Sequence, residues 1–187
     1  MELPLHLSHT AMALFTAHGF AEVRVEDIAS TAGVSVRTFH RYFPTKQDAV
    51  LPALDALWDE FLARLTAASG AASLDQALLE SFLRTRSSAL AGRQLALFRA
   101  MADSPHLQTV RLRMYARFES QLRAALASIV DSDIDDPDVA LFAAVITAAA
   151  RLVSDSTLAG NEAPDEATKR LFSAALRLAP QSSQSHN

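Results

Sequence analysis

Between Val25 and Phe43, a small residue, Ala29, is followed four positions later by a glycine, Gly33, with short apolar-periodic runs on either side. Two short helices joined by a tight turn must cross closely. The first then needs a small side chain at the crossing, and the turn needs a residue that tolerates positive φ. Ala29 and Gly33 meet these two demands. Ile28, Val34, Val36 and Phe39 supply an apolar side that holds the pair on a preceding helix. The outward face of the second helix is left with Ser35, Arg37, Thr38, His40, Arg41 and Tyr42, donors and planar groups suited to phosphates and base edges. Phe39 and Phe43 fall inward on the helical period and read as core rather than stacking platforms.

The rest of the chain is punctuated as helices. The first runs from about Leu5 to His18, with Leu7, Ala11, Leu14 and Phe15 on one face and Gly19 as a C-terminal stop. The second runs from about Val25 to Thr31 and the third from about Ser35 to Tyr42, ended by Phe43-Pro44. Thr45 with Asp48 reads as a variant capping box opening a long fourth helix, and Gly70 closes it. Pro52 inside that run predicts a kink or a late helix start; fixing the angle between head and body is its proposed role. Ser73 with Gln76 caps the fifth helix, and Gly92 is a candidate break in the stretch from Leu74 to Met101. Ser104-Pro105 and Asp136-Pro137 each read as N-cap plus proline at the first helical position. Pro164 opens a last helix that ends before Pro180. The expected fold is all-α, with about nine helices and no competing strand pattern. It divides into a three-helix head over residues 1–46, a helical body over 47–180, and a polar, disordered tail over 181–187.

Composition agrees. Half the residues are hydrophobic, and the bias toward Ala and Leu favours helix. Cysteine is absent, which excludes disulfides and thiolate zinc sites and fits a reducing cytoplasm. No stretch reads as a membrane span, and Met1 to Thr10 lacks the pattern of a signal peptide. The net charge of −4 weighs against nucleic acid. Locally, however, the segment from Val34 to Lys46 carries Arg37, Arg41 and Lys46 and no acid, so a dimer presenting two such patches can face DNA.

The first 50 residues resemble the DNA-binding head of TetR-family regulators. The marks are Ala13-Leu14-Phe15, His18-Gly19-Phe20, Val25 to Ala29, Ala32 to Ser35, Thr38-Phe39, Tyr42 to Lys46, and Ala49. Beyond them only the layout of long helices matches. The resemblance implies a homodimeric transcription regulator, most commonly a repressor, that binds a palindromic operator in double-stranded DNA and is released by a small-molecule effector. It assigns base reading to Ser35, Arg37 and Thr38, with Val36 among the DNA-binding residues. Arg37 is the candidate for a bidentate guanine contact, worth about 1–3 kcal/mol of discrimination. His40 stands where the family most often has tyrosine, and Tyr42 where it often has histidine. Both positions touch phosphate, and a histidine there makes the contact pH-sensitive. Arg41 shares this face, and Lys46 matches the family's phosphate-binding lysine. Val25 departs from the usual threonine at the start of the second helix. The chain begins close to its first helix, so a basic arm reaching the minor groove is not expected.

Other chemistries fit poorly. Asp131, Asp133, Asp135, Asp136 and Asp138 suggest calcium, but an EF-hand loop begun at Asp131 would need glycine and glutamate where Asp136 and Phe142 stand. An acidic loop before a helix N-terminus explains them better. His6 and His9 lie one turn apart with no third ligand nearby in sequence, so no metal is expected. No nucleophile elbow, glycine-rich phosphate loop or cysteine suggests an enzyme, and no cofactor is implied. The rival reading is a helical small-molecule carrier or interaction protein without operator binding.

For the body, an effector pocket is expected among Leu57, Trp58, Phe61, Phe82, Phe98, Met101, Met114, Tyr115, Phe118 and Phe142, most of them ordinary core. Their aromatic and apolar character favours a hydrophobic or amphipathic effector. Arg151 either pairs with an acidic group or reaches solvent. Val139 to Val153 is apolar nearly all round and must be covered on every side. With the last helix it is the candidate dimer contact, through Ala143, Ile146, Ala150, Leu171, Phe172, Ala175, Leu176 and Leu178. Such an isologous contact would set two recognition helices about 34–36 Å apart.

Overall fold

A computed structural model describes residues 2–68, 70, 73–100 and 104–178; Met101 and the tail 181–187 lie outside them. Among the described residues there are nine α-helices, one 3-10 turn and no strand. In order they are α1 (Leu3–His18), α2 (Val25–Thr31), α3 (Val36–Tyr42), a 3-10 turn (Asp48–Val50), α4 (Leu51–Ala68), α5 (Leu74–Arg86), α6 (Ala89–Ala100), α7 (Pro105–Val130), α8 (Pro137–Ala159) and α9 (Pro164–Leu178). The chain forms two compact units. One comprises Met1–Asp59 with Ser87–Met114, the other Glu60–Arg86 with Tyr115–Asn187, so α4 and α7 each contribute to both.

In the first unit, Leu7, Ala11, Phe15, Ile28, Phe39, Ala49, Val50 and Leu54 are fully buried. These are the apolar positions of α1, α2, α3 and the start of α4, and their burial defines the head. The α2–α3 turn closes with two hydrogen bonds, Val34 N–H to the Ala29 carbonyl at 2.9 Å and Gly33 N–H to the Ser30 carbonyl at 3.1 Å. This paired closure needs a left-handed residue one position past the helix cap, Ala32, and Gly33 sits at φ +71°.

The start of α4 differs from the expected pattern. The Thr45 N–H and hydroxyl both donate to Asp48 Oδ2, at 3.2 and 2.5 Å, so the carboxylate rather than the threonine is the acceptor. A 3-10 turn follows, and the α-helix begins only at Leu51. Pro52 therefore lies in the first turn, where a missing N–H costs nothing; the late start, not a kink, is what this proline produces. The next orphan donor, Ala53 N–H, is met at 3.0 Å by the buried Oγ of Ser8 on α1. This contact pins the head's first helix to the start of α4.

Gly92 does not divide the α5–α6 stretch. The break falls at Ser87–Ser88, where the Ser88 hydroxyl accepts from Ala91 N–H at 3.3 Å, and Gly92 lies inside α6. Serine competes for backbone donors and starts helices more readily than a single glycine stops one.

In the second unit α9 packs against both α5 and α8. Phe61, Phe82, Phe118 and Phe172 form its aromatic centre. Phe61 meets Phe82 at 5.8 Å and Phe118 at 5.6 Å between ring centroids, and Phe82 lies 4.2 Å from Phe172. The aspartate-rich loop is tied up internally. Ser132 Oγ donates to Asp136, and the Asp135 and Asp138 N–H groups donate to Asp133 and Asp136 at 2.9 and 2.8 Å. Arg123 binds the Ile134 carbonyl and Asp135. Asp136 accepts from the first turn of α8, as an N-cap does.

The reading that no stretch resembles a membrane span needs correction. α8 is long and apolar enough to cross a bilayer by length and composition. Alanines and a valine–isoleucine pair raise its hydropathy without the bulky run that marks a span by eye. Its buried side belongs to the packing of the second unit: Ala143, Ile146, Ala150 and Val153 have no exposed surface.

Candidate nucleic-acid interface

The outer face of α3 is organised from its N-terminus. Ser35 is the N-cap, its Oγ accepting from Thr38 N–H at 3.1 Å and lying 2.9 Å from the Thr38 hydroxyl. This lock orients Thr38 and leaves Arg37 between the two, exposed and with no hydrogen bond or ion pair among the described residues. Val36 is half-buried beside it. One turn on, His40 and Arg41 are exposed. The Arg41 guanidinium donates to the Tyr42 hydroxyl at 3.0 Å and lies 4.9 Å over its ring, which holds a charge and a phenol together at the helix end. His40 Nδ1 lies 3.3 Å from the Phe43 carbonyl. With Nδ1–H donating there, Nε2 is the nitrogen that faces outward. Beneath this face Phe39 is fully buried, its ring against His40 and Phe43, so the helix is anchored by one aromatic and its opposite side faces outward. Arg37, Thr38, His40 and Arg41 line a common recess.

Lys46 behaves differently from the phosphate contact that the resemblance implies. Its ammonium donates to the carbonyls of Phe20 at 2.7 Å and Val23 at 2.8 Å, with that of Ala21 at 3.5 Å, and lies 4.3 Å over the Phe20 ring. An ammonium has three donors, and here all are directed at the loop after α1. Burial lowers its pKa, and Glu22 opposes that shift. The sequence carried a signal for this role: Phe20, immediately after the α1 glycine stop, supplies both a carbonyl and a ring. At the start of α2, where threonine is replaced by Val25, the Arg24 N–H is capped by Asp27 at 2.8 Å.

The residues expected to line an effector pocket are distributed over both units. Leu57, Trp58, Phe98 and Met114 belong to the first, and Phe61, Phe82, Tyr115, Phe118 and Phe142 to the second. All are buried except Phe142, which is half-exposed on α8. The structure brings Phe61, Phe82 and Phe118 into ring contact and adds Phe172, which had been assigned to the dimer. Of the residues assigned to the dimer, Ala143, Ile146, Ala150 and Phe172 have no exposed surface within one chain, and Ala175 has almost none. A residue already enclosed by its own chain has nothing to offer a second copy. Leu171, Leu176 and Leu178 keep exposed surface, and Leu141 and Leu152, not singled out from the sequence, are 54% and 45% exposed. Arg151 is exposed to solvent.

A two-helix unit with a closed turn, a core-anchored second helix and an outward cationic, hydroxyl-rich face defines a helix-turn-helix DNA-binding protein. Comparison with known proteins makes the class narrower. The family described as "Bacterial regulatory proteins, tetR family" matches residues 7–51. The HTH-type transcriptional regulator TcmR of Streptomyces glaucescens is 30% identical over 179 residues, spanning 91% of this chain and 79% of that protein. The HTH-type transcriptional regulator EthR of Mycolicibacterium smegmatis is 44% identical over 48 residues, 26% of this chain and 22% of that one. The fold of the multidrug binding protein EbrR, crystallised with imidazole, superposes with a TM-score of 0.65 over 98% of both chains at 19% identity. The chain belongs to the TetR family of transcriptional regulators. These relatives are regulators and not enzymes.

Proposed function

We propose that the protein is a cytoplasmic repressor that binds a palindromic operator as a homodimer and leaves it when a small hydrophobic or amphipathic effector binds. The carrying observation is Arg37, exposed and unpaired on α3 between two hydroxyls that are hydrogen-bonded to each other. A planar donor fork held ready at the start of a recognition helix suits guanine in the major groove. Ser35, Val36 and Thr38 share the base-reading end, while His40, Arg41 and Tyr42 suit the phosphate backbone. Residues 1–46 act as the head and 47–180 as the sensing and dimerising body. The body's two copies meet through the exposed side of α8 and α9, around Leu141, Leu152, Leu171 and Leu178, rather than through the enclosed alanines. The effector is received by the aromatic part of the body.

Selection of bound sequences from a random DNA pool tests the reading, with wild type and Arg37→Ala in parallel. Wild type is expected to recover a palindrome. Arg37→Ala is expected to relax one symmetric base position by about 1–3 kcal/mol. No enriched motif at low salt would overturn operator binding.

A further inference from the structure

We propose that Arg86, with Thr85 beside it, is the anchor for an anionic group of the ligand, and that the effector is an amphipathic carboxylic acid. This rests on the effector-binding reading above and names the ligand's class. Thr85 and Arg86 are the last two residues of α5. The Thr85 hydroxyl and Arg86 Nε are both buried with no hydrogen-bond partner. Among the described residues the Arg86 guanidinium makes no ion pair and no hydrogen bond. Folded proteins leave few buried polar groups unmet, and Arg86, half-buried as a residue, keeps its Nε among them.

The surroundings do not remove that cost. Burial works against the charge, and Tyr115 and Asp165 work for it. Of these two, Asp165 is the carboxylate, and it stands exposed at the start of α9. The end of α5 does not require Arg86 as a helix-terminal cation, because Arg84 in the same turn is exposed and serves there. The apolar counterpart is close by along the chain. Phe82 lies one turn before Arg86 on α5, Phe118 one turn after Tyr115 on α7, and both belong to the aromatic centre of the second unit. A guanidinium fork matches a carboxylate in two parallel hydrogen bonds, Thr85 adds a hydroxyl donor, and the aromatic rings suit an alkyl or aryl tail.

The test uses the full chain and two matched pairs of probes, decanoate against decanol and phenylacetate against phenylacetamide. Binding is measured by calorimetry and operator release in parallel, on wild type, Arg86→Met and Thr85→Val. The acids are expected to bind wild type at least about tenfold more tightly than their neutral mates. That preference is expected to vanish in Arg86→Met and to weaken in Thr85→Val. Without ligand, Arg86→Met is expected to melt at or above the wild-type temperature, since a half-buried cation whose buried Nε has no hydrogen-bond partner is removed. A ligand-free fall of about 2–4 °C or more in Arg86→Met would mark the arginine as structural and overturn the proposal. So would an acid preference that survives in Arg86→Met, or binding of neither class. Neutral probes that bind and release the operator as well as the acids do would overturn the anion anchor alone and leave the effector reading standing.

Discussion

Replacing Lys46 by methionine keeps the apolar stem and removes the ammonium, so it separates two roles for one residue. If Lys46 is the brace that the geometry describes, the variant loses two short charged hydrogen bonds, to the Phe20 and Val23 carbonyls at 2.7 and 2.8 Å, and the contact over the Phe20 ring. Charged hydrogen bonds contribute about 1.5–3 kcal/mol each and an exposed cation–π contact about 0.5–1 kcal/mol. The third carbonyl, at 3.5 Å, adds little. Lys46 is only half-buried, so water recovers part of what is lost, and the recovered desolvation of the ammonium offsets more. A net loss of about 2–3 kcal/mol follows. Urea unfolding would show it as a lower midpoint at unchanged slope. The dependence of DNA affinity on salt supplies the second reading. A lysine on phosphate contributes about 0.9 to the logarithmic salt slope, whereas a lysine held by carbonyls contributes nothing. An unchanged unfolding midpoint together with a slope smaller by about 1 per protomer would refute the brace and return Lys46 to the DNA backbone.

Other positions give equally direct tests. Ser8→Ala leaves the buried Ala53 N–H without its acceptor, and a loss of about 1–3 kcal/mol in urea unfolding is expected; a change below about 0.5 kcal/mol would show that the bond does not hold α4 in place. His9 on α1 has its pKa lowered by burial first, then by Arg93 on α6 and by His6. The folded state therefore binds fewer protons there than the unfolded state, so stability is intact above the ordinary histidine pKa of about 6.5 and falls as pH drops through it. His9→Gln is expected to flatten the fall in melting temperature between about pH 7 and 5, and a curve parallel to wild type would dismiss the assignment.

The head was legible because its chemistry is local. Ala29, Gly33 and Phe39 lie within one short stretch, and each demand on them, a small crossing residue, a positive φ and an inward ring, acts over neighbouring residues. The helix ends at Pro105, Pro137 and Pro164 were legible for the same reason. What escaped the sequence depended on distant partners. Lys46 reads as a free cation until the carbonyls of Phe20 and Val23, more than twenty residues away, are placed around it. Ser8 reads as an ordinary helix residue until Ala53 N–H is brought to it. Gly92 has little weight as a breaker, because a helix tolerates one glycine when Ser88 already supplies the cap.

The same limit explains the dimer surface and supplies its test. Periodicity shows that α8 must be covered on all sides, but not which side its own chain covers. Within one chain Ala143, Ile146 and Ala150 are enclosed, while Leu141 and Leu152 on α8 and Leu178 on α9 remain 54%, 45% and 72% exposed. The two sides should answer differently to substitution. Ile146→Ala removes enclosed volume and should lower fold stability by about 2–5 kcal/mol without altering the contact between copies directly. Leu141→Glu with Leu152→Glu should leave the fold of each chain intact and weaken association. Full burial of a leucine contributes about 1.5–3 kcal/mol. Each of these is already half covered, and twofold symmetry presents each one twice. A loss of about 3–6 kcal/mol follows, or roughly a hundredfold to ten-thousandfold in the dimer dissociation constant. Sedimentation at micromolar concentration reads that shift as dissociation to single chains with an unchanged helical spectrum. A double variant that sediments like wild type would place the dimer contact elsewhere, and the exposed leucines would then need a different cover.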